Sequence, residues 1–250
     1  TGFYYVDQNS MFNSAWSNFK LPTDRNDELT VGFTIGRSLY VSSKYKIFRL
    51  NYIGGNPDWE YVEIKNWGFV PKTVKKVSIQ GIGNAVIGLD WTKKVRIFFG
   101  SDDEILSDAV SRDNGITPFY LNNLSAVDLN RCWAEDDTKA QVYRLFLAYG
   151  GSSTISYALC FNYRAGSWYP ENLRPYQSGI LAADTADNPY MIGCDYNGRI
   201  NVMDSGNTEA GVAIDEYYTS PFSYLQSPAR VHKSQQINMF FTVSSSGTIH

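Results

Sequence analysis

Residues 141–173 read QVYRLFLAYGGSSTISYALCFNYRAGSWYPENL, and this stretch narrows the folds open to the chain more than any other. Successive side chains of a strand point to opposite faces, so Tyr143, Leu145, Leu147 and Tyr149 fall on one side and Val142, Phe146 and Ala148 on the other. A strand apolar on both faces belongs between two stacked sheets. In the following run Ile155, Tyr157, Leu159, Phe161 and Tyr163 share one face, opposite the small or polar Ser156, Ala158, Cys160 and Asn162. The first face anchors a core, and the second lies close under a neighbouring layer. Trp168, at a reversal after Gly166 and Ser167, is placed to cover the end of a sheet.

The rest of the chain keeps the same rhythm. Residues 29–52 give three short strands separated by Gly36-Arg37 and by residues 42–44. A loop at residues 54–57 leads to WEYVEIKNW, in which neither alternating face is cleanly apolar, the pattern of an outer strand. Val74, Val77 and Ile79, then Ala85, Val86, Ile87 and Leu89, then Val95, Ile97 and Phe98 mark three more strands. Gly81, Gly83 and residues 90–93 supply their reversals. Residues 179–206 add three strands with an Asn197-Gly198 hairpin turn. The segment SAVDLNRCWA, residues 125–134, predicts the one helix, because Ser125 and Asp128 have the spacing of a capped N-terminus.

Short meanders repeated every 40 to 60 residues or so, with almost no helix, predict an all-β fold, a β-propeller of antiparallel meander blades with one short helix. A pair of immunoglobulin-like sandwiches is the alternative architecture. The expected divisions are an N-terminal segment, 1–28, a propeller-like domain, 29–220, and a connector with the start of a further β segment, 221–250. The start without Met and the strand-like end INMFFTVSSSGTIH suggest part of a longer polypeptide.

A net charge of -3 argues against attachment to nucleic acid chiefly through counterion release. Lys72, Lys75 and Lys76 read as the guard of a strand edge. Cys132, Cys160 and Cys194 lie far apart without zinc-site spacing and read as reduced thiols. No apolar run reaches the roughly 20 residues that a membrane-crossing helix needs.

Taken in order, the pieces resemble a family of tailed-bacteriophage virion proteins that carry a β-propeller in the neck or tail, of the tail-nozzle or head-to-tail stabilisation type. The elements that carry the resemblance are SLYVSSKYKIFRLNYIGGNPDWEYVEI, GFVPKTVKKV, NAVIGLDWTKKVRIFFGSDDEILSDAV, VYRLFLAYG with YALCFNYRAGSWYPENL, and GRINVMDSGNTEAGVAI. The resemblance implies a non-enzymatic structural protein of the virion, made in the host cytoplasm, acting as spacer and docking platform. Its implied partners are neck or tail proteins on the portal or adaptor side and further tail subunits. Several copies would form a ring, with viral DNA passing nearby unbound and no membrane involved.

The residues themselves lead to no catalytic, cofactor-binding or metal-binding assignment, and no cofactor is expected. A nucleophilic triad needs a positioned base, and His232, set among cationic neighbours that lower its pKa, and the terminal His250 are poor candidates. Glycosidase carboxylates could be sought in Glu60 with Glu63, Asp102 with Asp103, or Asp136 with Asp137, but adjacent strand acids point apart. Asp195 to Gly198 fits a hairpin turn better than a calcium loop, and the run from Gly100 to Glu104 fits a loop between strands. Trp59, Trp67, Trp91 and Trp168 near turns leave a glycan-recognising tail protein as the alternative function, and a cellular interaction scaffold as a third.

Overall fold

Alternation of apolar side chains on both faces of a strand can be satisfied only by a layer on each side, and the computed structural model resolves the chain into such layers. It describes residues 2–6, 16–23, 27–54, 59–79, 81, 83–107, 120–148, 152–172, 175–203, 208–209 and 212–213. These fall in one compact unit, Thr1–Ile214. Tyr149, most of the loop after Gly54, His232, His250 and the expected segment 221–250 lie outside the described residues.

The protein is all-β. A hairpin of β1 (Gly2–Val6) and β2 (Trp16–Lys20) precedes the first meander, β3 (Leu29–Ile35), β4 (Ser38–Ser43), β5 (Ile47–Tyr52) and β6 (Trp59–Lys65). The second meander is β7 (Lys75–Ile79), β8 (Gly83–Leu89), β9 (Val95–Phe98) and β10 (Asp103–Ile105). Helix α1 (Ala126–Arg131) leads into the third, β11 (Trp133–Asp137), β12 (Val142–Leu147), β13 (Tyr157–Asn162) and β14 (Ser167–Asn172). The fourth is three-stranded, β15 (Tyr176–Ala183), β16 (Pro189–Asp195) and β17 (Ile200–Val202), and a two-residue pair follows, β18 (Thr208–Glu209) with β19 (Val212–Ala213). Every pairing is antiparallel between chain neighbours. The first strands sit side by side, β3 against β7, β7 against β11 and β11 against β15, and the meanders stack in chain order as propeller blades do.

Three apolar layers fill the spaces between the four sheets. Tyr40 and Ile47 of the first sheet meet Val86 and Phe98 of the second around Trp67 and Phe69. Ala85, Ile87 and Leu89 on the other side of β8 meet Tyr143, Leu145 and Leu147 of β12, with Leu129 of α1 in the same layer. Trp133, Phe146, Ala158 and Cys160 then meet Tyr176, Met191 and Met203 of the fourth sheet. The strand β12 is buried along its whole length, as its alternation requires. At roughly 1.5–3 kcal/mol for each fully buried large side chain, these layers are the dominant stabilising contribution.

Close stacking needs small residues where large ones cross. A Cβ on Gly179 would meet the Trp133 ring at 2.6 Å, and one on Gly88 would meet the Phe69 ring at 2.7 Å. Trp133 is the anchor of its layer: it stacks on its cross-strand partner Phe146 at 3.9 Å and donates its indole N–H to the Tyr176 carbonyl at 2.8 Å.

Some expectations are corrected. The helix ends at Arg131, not at residue 134, because the Cys132 backbone leaves helical geometry and its N–H closes the helix on Asp128 and Leu129. Trp133–Asp137 is strand β11 instead, and its acids had hidden it. The acidic stretch Asp103–Ile105, expected as loop, is the edge strand β10. Ser167–Asn172 is a strand too, and Pro170 is tolerated there because β14 is an edge. Ile155 precedes β13 and packs in the layer with Phe146, away from Leu159 and Phe161. Trp168 lies within β14, paired with Phe161 at 5.0 Å between ring centres.

Gly179→Ala is expected to cost about 1–3 kcal/mol by forcing Trp133 out of its packing, and Tyr143→Phe about 1–3 kcal/mol, because it leaves without a partner the buried Thr73 carbonyl that the Tyr143 hydroxyl bonds at 2.8 Å. Chemical denaturation of both variants checks these values.

Candidate functional site

Two regions gather polar chemistry against the stacked sheets. The first is the mouth of the layer between the second and third sheets. Asp136 of β11 is opposite Tyr143 in the register, so its side chain is turned toward the second sheet, and only 5% of the residue is exposed. Its Oδ1 is buried without a hydrogen-bond partner, while the Tyr163 hydroxyl bonds the carboxyl group. Burial pushes the Asp136 carboxyl up to about 7; Glu135 and Asp137 push the same way, against Tyr163 and Lys75. Tyr163, Arg164, Gln141 and Ile79 line a cavity of about 170 Å³ at this mouth. Lys75 of β7 bridges to Glu135 at 2.8 Å, and the fully buried Tyr143 donates its hydroxyl to the Thr73 carbonyl at 2.8 Å. The lysines expected to guard an edge are thus divided: Lys75 clamps two sheets, Lys76 is exposed, and Lys72 sits at a φ of 67° in the preceding turn.

The carboxylate pairs weighed from sequence are drawn apart. Asp137 faces Arg144 at 3.6 Å and takes the Ala140 N–H, while Asp136 goes to Tyr163. Asp103 takes Lys65 at 2.6 Å and Arg96 at 2.8 Å, whereas Asp102 is exposed. Glu60 and Glu63 lie an odd number of residues apart on the edge strand β6, and Glu63 binds Lys46 at 2.9 Å. Arg96 also meets the buried carboxylate of Asp90 and lies 4.6 Å over the Trp67 ring. The acids thus bind the protein's own cations across the sheets. Among the described residues no group of three His, Cys, Asp or Glu side chains is arranged to hold a metal ion.

The second region is the set of hairpin turns. Asp90, Asp184 and Asp195 each open a five-residue turn of one design, of which the sequence marked the first as a reversal at residues 90–93 and the last as an Asn197-Gly198 turn. The first residue's N–H donates to the fifth carbonyl, and the fourth N–H returns to the first carbonyl. The aspartate Oδ1 accepts the fifth N–H at 2.8–2.9 Å in all three. The fourth position has positive φ in each: Lys93 at 67°, Asp187 at 59° and Gly198 at 76°. The signal was present as Asp-x-x-x followed by a strand, but only Asn197-Gly198 announced its backbone. Asp195, weighed as a calcium ligand, spends its carboxylate on Asn197 and Arg199 backbone N–H groups.

All three cysteines are free thiols. Burial, with the Asp128 charge, pushes Cys132 up to about 12, so that its thiol stays protonated.

No known protein-family model matches the chain, and no curated protein matches it in sequence.

Asp136 gives a pH dependence of definite sign. Its folded value, near 7, lies above the unfolded value of 3.8, so folding takes up a proton between them. Stability from this group is therefore full below about pH 4 and is lost as pH rises toward 7. Asp136→Asn is expected to raise Tm at pH 8 and to flatten the fall in stability between pH 4 and 7, as read by thermal melts across that range.

Proposed function

We propose that the chain is a non-enzymatic structural component of a tailed-phage virion, placed in the neck or tail, where its stacked sheets serve as a spacer and docking platform. The observation that carries this reading is the series of four meanders in chain order, each joined to the next by a continuous apolar layer. Such a stack resists bending, because shearing the third sheet over the fourth would tear Trp133 from Gly179. Its turns project from two ends and remain available for contacts without exposing the sheet interior.

The order of sequence elements that resembles the phage propeller family supports the same assignment. Partners in this reading are neck or tail proteins, with several copies arranged around the DNA passage. A protein with net charge -3 beside that passage would not hold the DNA by counterion release.

Cryo-electron microscopy of tailed particles encoded with this chain provides the test. The expected result is repeated density for the stacked meanders at the neck or tail. Particles complete in every other component but lacking that density would overturn the assignment.

A further inference from the structure

Among the described residues the two ends of the stack differ in charge. In each meander the turn between the second and third strands lies at one end and the turn between the first and second at the other, joined there in the three four-stranded meanders by the turn between third and fourth. The second-to-third turns join into one surface. Lys44 of the first sheet lies 5.1 Å over the Trp91 ring of the second. Lys93 donates to the Asn122 carbonyl at 2.9 Å, Arg131 to the Ser153 carbonyl at 3.0 Å, and the Ile155 N–H to the Tyr196 hydroxyl of the fourth sheet at 2.8 Å.

Among the described residues this end carries Lys44, Lys72, Lys93, Arg131 and Arg199, with Lys94 beside them already partnered. Its acids are largely committed internally. Asp90 and Asp195 are 0% and 3% exposed and hold their own turns, and Asp128 caps α1 through the Ser125 N–H. Among the described residues Glu28 is an exposed acid beside them. The opposite end presents the exposed Asp102, Glu104, Asp184 and Asp187 and the half-buried Asp137, outnumbering Arg37, Lys139 and Arg164 there.

We propose that the basic end docks on the acidic end of a second copy of this chain, so that copies associate head to tail. Charge complementarity is the first argument, and its recurrence on the same sheets is the second. The second and fourth sheets carry cations at one end, Lys93 and Arg199, and acids at the other, Asp102 and Asp184, so opposite charges recur on the same sheets at the two ends. A contact of this kind is heterologous and does not close on itself, which allows more than two copies in series.

The same surface is less suited to single-stranded nucleic acid, which needs free aromatic faces for base stacking. The Trp91 ring is covered by Lys44, its indole N–H is given to the Phe69 carbonyl, and the acidic end repels a polyanion. The proposal does not depend on the virion reading and stands on the charge distribution alone.

Sedimentation equilibrium at about 50 mM and 0.5 M salt tests it, because surface attraction of this kind is screened as the Debye length shrinks. The wild-type chain should exceed monomer mass at low salt, with association at least tenfold weaker at high salt. Two folded double variants, verified by circular dichroism, extend the test: K72E with R199E cancels most of the positive charge of the basic end, and D102K with E104K makes both ends basic. Each should be monomeric alone, and an equimolar mixture should associate. A monomeric wild type at low salt, a mixture that stays monomeric, or self-association of either variant alone would overturn the proposal. So would binding of a fluorescein-labelled single-stranded oligonucleotide that is lost in K72E/R199E while the wild-type mass stays monomeric, which would assign the basic end to nucleic acid.

Discussion

Burial of central strands from both faces is the constraint on which the rest of the structure depends. An antiparallel sheet with one apolar face needs one partner, whereas a strand such as Val142–Leu147, apolar on each side, needs two. That requirement turns separate meanders into a series, because Val86 of β8 serves one layer and Ile87 the next, and Tyr143 and Phe146 of β12 divide in the same way. Glycine at 88 and 179 follows from it, since the aromatic rings that fill each layer must come down on the neighbouring backbone.

Polar groups are fitted to this stack. Indole N–H groups of Trp91, Trp133 and Trp168 reach backbone carbonyls of Phe69, Tyr176 and Leu106. Lys65 with Asp103 joins the first two sheets, and Lys75 with Glu135 joins the second and third. Ion pairs half open to water contribute little each, so their value lies in fixing register between layers already held by apolar burial. Asp136 is the exception, a carboxyl kept near neutrality by the layer it enters.

Much of this architecture was legible in the sequence, for reasons that differ by element. The strands with clean apolar alternation, β4, β5, β8, β12, β13 and β16, announced themselves, as did the Ser125 cap of α1. The edge strands β10, β11 and β14 did not. In Asp103–Ile105 and Trp133–Asp137 the acids find cationic partners on neighbouring sheets, and those partners are distant in sequence. Pro170 likewise hid β14, which needs no hydrogen bonds on its outer side. The Asp136 environment was out of reach because its burial is made by Tyr163 and by a sheet whose position no local pattern specifies. The charge difference between the ends was also hidden, since only the meander topology sorts turns into two sets.

Amide hydrogen exchange resolved by strand tests the two-sided burial most directly, because the slowest amides report the strands that open only with global unfolding. The account predicts that β8 and β12 exchange last and with similar protection, while the edge strands β6, β10 and β14 exchange earlier. Exchange of β12 as fast as that of β6 would contradict it.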